Sequence, residues 1–324
     1  MASNVKDIIS AQELGGGLIP TQFATEIIQN APQSSVVLSR ATRVPMSTRT
    51  RTQPVLDTLP MAYWVGGDTG LKQTTKQNWK GLTITAEELA AIVPIPEAVI
   101  ADSAIPLWPE IMPRLSAAIG LALDQAALFG VNKPSSFPTA VVPAAISAGN
   151  VVAEGTGTDL AVDVASLGQK LAKQGFAGNG FASSPGLTWK LIGLRNANGT
   201  PIFVPSLAES TPATLYGYPL NEVTNGAWNA DVAELLLADW LKFVVGVRQD
   251  ISYKLLDQSV ISDDDGKIIL NLAQQDSVAL RVTFRVGFQV ANPLTELQSN
   301  ATKRYPAGVI TPKAVAPAVG GVGK

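Results

Sequence analysis

The sequence predicts an α+β chain whose helical and strand-rich stretches are separated along its length. Three observations carry this. Apolar residues recur at three-to-four spacing through Leu107, Ile111, Leu115, Ile119, Ala122, Ala126 and Phe129, the stripe of one helix face. From Val278 to Val290 every even position is Val, Leu or Phe, the period of a strand with one face buried. Between about 144 and 243, helix signals alternate with short apolar runs, as in an α/β unit. At 324 residues the chain can hold two modest domains or one elaborated domain.

Residues 1–51 read as an arm. Gly15, Gly16 and Gly17 precede Leu18-Ile19-Pro20, and a short helix is expected at about 21–29. Arg40, Arg43, Arg49 and Arg51 then fall in a stretch without an acidic residue. That run is either a solvated basic surface or a contact to an acidic partner or nucleic acid, where each cation would displace counterions.

Residues 52–92 predict a long two-stranded excursion, with strands at Ala62-Tyr63-Trp64-Val65 and at Trp79 to Thr85 around a glycine-rich turn. An isolated hairpin is marginal in water, so Trp64 and Trp79 are expected to rest on their own domain or on another subunit. After Pro94 the texture turns helical. Asp102 or Ser103 can cap, Pro106 and Pro109 suit a first turn, Pro113 marks a kink or the true start, and Gly130 is the expected stop. This gives a helix roughly 30 Å long.

In the α/β stretch, Asp159 is the expected cap of a helix carrying Leu160, Val164, Leu167 and Leu171 and ending at Gly175. Ser184-Pro185 begins a second, ending near Asn198-Gly199. Strands are expected at about 215–223 and 234–245. Extended structure returns at 251–261 and 267–272 around Asp263-Asp264-Asp265-Gly266, then in the long strand to Val290, about 43 Å at 3.3 Å per residue. The last residues, 305–324, rich in Pro, Ala, Gly and Val, are expected to be mobile or docked as an extended strip.

Composition narrows the chemistry. The chain has no Cys and no His, which excludes disulfides, thiolate nucleophiles, cysteine-ligated zinc and the Ser-His-Asp arrangement. The acidic turn does not fit a calcium loop, because with Gly266 at the sixth position residues 261 and 272 are Ile and Leu. Gly15 to Gly17 are not followed by a Lys-Ser or Lys-Thr pair and make no phosphate loop. No catalytic residue, cofactor or metal is therefore expected. Charged residues are 15% of the chain, against roughly 25% in ordinary soluble domains, while hydrophobic residues are 46%. No apolar run reaches the roughly 20 residues of a membrane span, so the missing charge points to surface buried between copies. Residues 1–11 lack a long apolar core, so no secretory signal is expected and a reducing intracellular compartment is the default. A net charge of −2 argues against electrostatic coating of nucleic acid by the whole molecule.

The ordered landmarks resemble the tailed-phage major capsid family, the Hong Kong ninety-seven fold. They are Gly-Gly-Gly-Leu-Ile-Pro, then residues 62–67, the Ile95-Pro96-Glu97-Ala98-Val99-Ile100-Ala101-Asp102-Ser103 lead into the long helix, Tyr216-Gly217-Tyr218-Pro219-Leu220, and Asp276 to Val282. The resemblance implies a phage major capsid fold: N-terminal arm (1–51), extended β-hairpin loop (52–92), peripheral domain with a long spine helix (93–145), axial α/β domain (146–243), peripheral return strands (244–303) and C-terminal tail (304–324). Tyr63, Trp64, Lys72, Lys76, Trp79 and Lys80 would form the inter-subunit loop, Arg40, Arg43, Arg49 and Arg51 the basic arm, and Ile111, Leu115, Ile119, Ala122 and Phe129 the spine core.

The implied function is a virion shell of pentamers and hexamers, assembled in the host bacterial cytoplasm around double-stranded DNA. Its partners would be the chain itself, a separate scaffolding protein, a portal and decoration proteins, with no membrane. Some family members fuse a scaffolding segment before the arm, whereas here the glycine run begins at residue 15. Others weld the shell through a loop lysine and a neighbour's asparagine aided by a carboxylate. Here Gln274-Gln275-Asp276 leads into the last strand and Arg281 and Arg285 stand where an acid is wanted, so a non-covalent shell is expected. Encapsulins, which enclose cargo enzymes, share the fold and are the alternative; a histidine-free enzyme is the reading from a different class.

Overall fold

The computed structural model describes residues 35–60, 62, 64, 74–103, 106–194, 214–263 and 265–313. In chain order the elements begin with α1 (Val36–Arg40), β1 (Thr42–Pro45), β2 (Thr50–Thr58), β3 (Asn78–Thr85), β4 (Glu87–Pro96) and α2 (Glu97–Asp102). The spine is α3 (Leu107–Asp124), continued by a π-helical turn at Gln125–Phe129. Then come α4 (Val141–Ser147), β5 (Val151–Ala153), α5 (Leu160–Lys173), β6 (Gly180–Ser183), α6 (Leu187–Ile192), β7 (Thr214–Leu215), β8 (Tyr218–Glu222) and β9 (Leu235–Ala238). The chain closes with β10 (Phe243–Leu256), β11 (Val260–Ser262), β12 (Ile268–Asn271), β13 (Ser277–Val290) and β14 (Ala307–Thr311).

Two sheets organise the molecule. The first runs β1-β10-β13-β4, and the second β5-β14-β9-β6-β8-β7. The alternation expected for 278–290 is realised in β13: Leu280, Val282, Phe284, Val286 and Phe288 are buried against the spine, while Arg281, Thr283 and Arg285 face away. One core spans both sheets, since Leu236, Ala238, Ala307 and Val309 join the same cluster as Leu115, Ile119 and β13. The outer face of the second sheet is covered by α5, whose Leu160, Val164, Leu167 and Leu171 form a separate cluster with Leu235 and Ile310.

Local signals held at several ends. Asp159 caps α5, its carboxylate accepting from the Val162 N–H at 2.9 Å, and Gly175 follows at φ +82°. Gly130 ends the spine at φ +80°. Elsewhere the structure corrects the reading. The spine starts at Leu107 after Pro106, as the first-turn prolines suggest, so Pro113 lies inside the helix and is not its start, while Glu97–Asp102 makes a separate helical turn. The second α/β helix spans only Leu187–Ile192, beginning after Gly186. The expected strand 234–245 is two strands in different sheets, because a 3-10 turn at Trp240–Lys242 carries the chain across. Its Trp240 ring N–H donates to the Gly180 carbonyl at 3.1 Å.

Parts of the expected arm and tail are built into the sheets, the tail as the docked extended strip that was one of its two expected states. Within the expected arm, Ser35 to Met46 are built into the body: Val36, Val37 and Met46 are buried, and β1 pairs in parallel with β10. The expected tail contains β14, a buried strand lying between β5 and β9. The helix expected at 21–29 lies outside the described residues.

Candidate functional site

The β2–β3 hairpin forms a two-stranded sheet of its own, outside the two main sheets. Its two strands pair only with each other, from Thr50↔Thr85 to Thr58↔Asn78. The first strand is thus Thr50–Thr58 and not the expected 62–65; Ala62 and Trp64 lie in no strand. Glu87–Ile92, expected within the loop, instead pairs with β13 as part of the first sheet.

A glycine pair seats the hairpin. Gly246 and Gly287 are register partners in β10 and β13, and Ile84 packs over them. A side-chain carbon at Gly287 would lie 2.5 Å from the Thr85 carbonyl oxygen, and one at Gly246 would run into Met46 and Ile84. Only bare backbone admits the hairpin base this closely. Ile84, Met46, Ala86 and Val244 make a small cluster there. Further along, the Gln289 amide donates to the Thr83 carbonyl (3.2 Å) and the Leu294 N–H to the Leu56 carbonyl (3.1 Å). Beside this contact lies a cleft of about 200 Å³, bordered by Lys80, Asp57, Asn292 and Arg304.

Beyond the seat the hairpin is open. Trp64 is 99% exposed and Trp79 63%, and Lys76 and Lys80 are exposed. Tyr63 and Lys72 lie outside the described residues. The four arginines do not form an unoccupied patch. Arg40 donates to the Asn221 side chain (3.0 Å), Arg43 to the Leu38 carbonyl (2.8 Å), Arg51 to the Pro45 carbonyl (2.8 Å), and Arg49 pairs with Glu87 at 3.2 Å. All but Arg40 are exposed, so their charge still faces solvent. Of the spine residues, Leu115 and Ile119 are buried, while Ile111, Ala122 and Phe129 are half-buried; Phe129 meets Trp228 edge-on at 5.4 Å.

The sequence model of the phage capsid family matches residues 15–294. The chain belongs to the phage capsid family. Its fold is that of the tailed-phage major capsid proteins. A chain from Microbacterium phage Oxtober96 is similar with a TM-score of 0.80 and 38% identity, covering 91% of this chain and 97% of that one. One from Mycobacterium phage Cain gives 0.81 and 35%, covering 96% and 100%. The major capsid protein of Staphylococcus phage 80alpha is 25% identical over 293 residues, 88% of this chain and 86% of that protein.

Within this capsid fold, sequence reasoning missed three positioning features. The glycine pair, Ile84 and the buried Asp124 all act through contacts between segments distant in sequence. The one local hint was Asp124 itself, a lone acid inside the apolar run Leu121 to Phe129. The acidic turn is a turn, as read: Asp263 Oδ1 accepts from the Asp265 and Lys267 N–H groups, and Gly266 sits at φ +79°.

Proposed function

We propose that copies of this chain, as a phage major capsid protein, build the pentamers and hexamers of an icosahedral virion shell that encloses double-stranded DNA. The carrying observation is the β2–β3 hairpin. Its base is fixed on the glycine pair, while Trp79 on β3 and Trp64 between the two strands are largely exposed among the described residues. Large exposed aromatics on and between the strands of a hairpin suit anchoring to a second copy. A rigid body with a reaching hairpin can repeat similar contacts in rings of five and six.

The finer parts of this reading are in keeping with family membership. The shell is non-enzymatic and assembles in the host cytoplasm with a separate scaffolding protein, a portal and decoration proteins, and packaged DNA is contacted without sequence preference. Lys76 and Lys80 stay unlinked: the approach to β13 offers Gln274, Gln275 and Asp276, and Arg285 on that face is already paired with Glu88 at 2.8 Å. Encapsulin-type cargo storage is the second reading, and the relatives named as phage major capsid proteins disfavour it.

Electron microscopy of the protein expressed alone and with its scaffolding partner tests the reading. Shells, rings or tubes are expected from the intact chain and not from one in which residues 59–77 are replaced by a short turn. Normal shells from the shortened chain would overturn the role of the hairpin, and shells packed with a cellular enzyme would favour the encapsulin reading.

A further inference from the structure

At the point where the spine changes from α-helix to π-helical turn, Asp124 is fully buried and surrounded by donors. Its Oδ1 accepts from the Ser35 hydroxyl at 2.6 Å and the Val37 N–H at 3.1 Å. Oδ2 accepts from the Val36 N–H at 3.0 Å and the Asn225 amide at 2.8 Å. Val36 and Val37 are the first two residues of α1, whose N–H groups have no acceptor inside the helix. The carboxylate therefore caps α1 from another element. At five residues α1 cannot persist on its own helical bonds.

The same helix is fastened at its other end, where Arg40 donates to Asn221 in β8 of the second sheet. Asn225, the fourth donor, lies in the turn after β8 and orders it by accepting from the Ala227 N–H at 2.9 Å. Gly120, about one turn before Asp124, lets α1 approach closely: a side-chain carbon there would sit 3.3 Å from Ser35. Spine, α1 and the turn after β8 thus meet on one carboxylate.

We infer that Asp124 is a latch that makes α1, the root of the N-terminal segment, and the turn at 224–227 open and close as one unit with the end of the spine. It is a property of the single chain and stands apart from the proposed shell. Ordinary core packing would make each segment respond only to loss of its own contacts. The latch instead predicts that removing Asn225, which has no described hydrogen bond to α1, loosens α1.

Hydrogen–deuterium exchange on the full chain tests this. In Asp124→Ala, exchange at Val36 to Leu38 and at Ala227 is expected to accelerate at least about tenfold, the equivalent of one charge-assisted hydrogen bond, while the centre of β13 is unchanged. Should that variant fail to fold, Asn225→Ala and Ser35→Ala retain the carboxylate. Asn225→Ala should accelerate Val36 and Val37, and Ser35→Ala should accelerate Ala227. Acceleration confined to the mutated segment, or loss of protection spread evenly through β13, would overturn the latch.

Discussion

Asn150 and Gln174 face one another as a reciprocal amide pair inside the second sheet's end. Asn150 Nδ2 donates to Gln174 Oε1 at 3.0 Å, and Gln174 Nε2 donates back to Asn150 Oδ1 at 2.5 Å. Asn150 is fully buried and also reaches the Tyr305 and Ala307 carbonyls at 3.0 Å each, so the pair ties the end of α5 to the start of β14. Replacement by leucine, similar in size, would strand these groups without partners. Asn150→Leu is expected to lower stability by about 2–4 kcal/mol, read as a lower urea midpoint with an unchanged slope.

The glycine seat gives a steric test. Gly287→Ala puts a methyl group against the Thr85 carbonyl and should cost about 1–3 kcal/mol. Gly168→Ala is its control, because that helical site in α5 meets only Leu237, at 3.9 Å, and should be neutral or stabilising by up to about 1 kcal/mol. Equal thermal shifts for the two variants would refute the seat.

Glu222 supplies a pH dependence. Burial pushes its carboxyl up, but hydrogen bonds from Thr188 and from the Gly186 N–H together hold it below the usual glutamate range. A carboxylate held low stabilises the fold above its unfolded pKa and loses that contribution as pH falls through the folded value. The gap between wild type and Glu222→Gln, under about 1 kcal/mol at neutral pH, should therefore close below about pH 4. A gap constant from pH 7 to 3 would exclude this role.

Trp64→Ser and Trp79→Ser change exposed side chains and should leave the single chain's stability within about 0.5 kcal/mol. Assembly is where the loss should appear, as a higher concentration threshold for shells in light scattering. Assembled wild-type shells should run only as monomer on a denaturing gel; a ladder would refute the non-covalent reading.

Much of the fold was legible because it follows local rules. The stripe from Leu107 to Phe129, the alternation of β13 and the Asp159 cap all depend on neighbours within a turn or two of the chain. What stayed open or was misplaced depended on distant partners. Ala307 to Thr311 reads as a small-residue tail because Gly308 must pass beneath Leu167 and Leu171, a constraint visible only once α5 lies over β14. The hairpin strand was placed on the aromatic run at 62–65, whereas pairing begins at Thr50, opposite Thr85. The exposed Trp79 and Lys80 were legible as surface; the seat beneath them was not.

The position of β14 also has a bearing on synthesis. Its partners β5 and β9 leave the ribosome long before it does, at roughly 5–20 residues per second, and the slot between them stays open until residue 311 has emerged. In a chain cut short before residue 307, β5 and β9 would lack the strand that lies between them and would leave unpaired strand edges, a mark that separates unfinished subunits from those fit to join a particle.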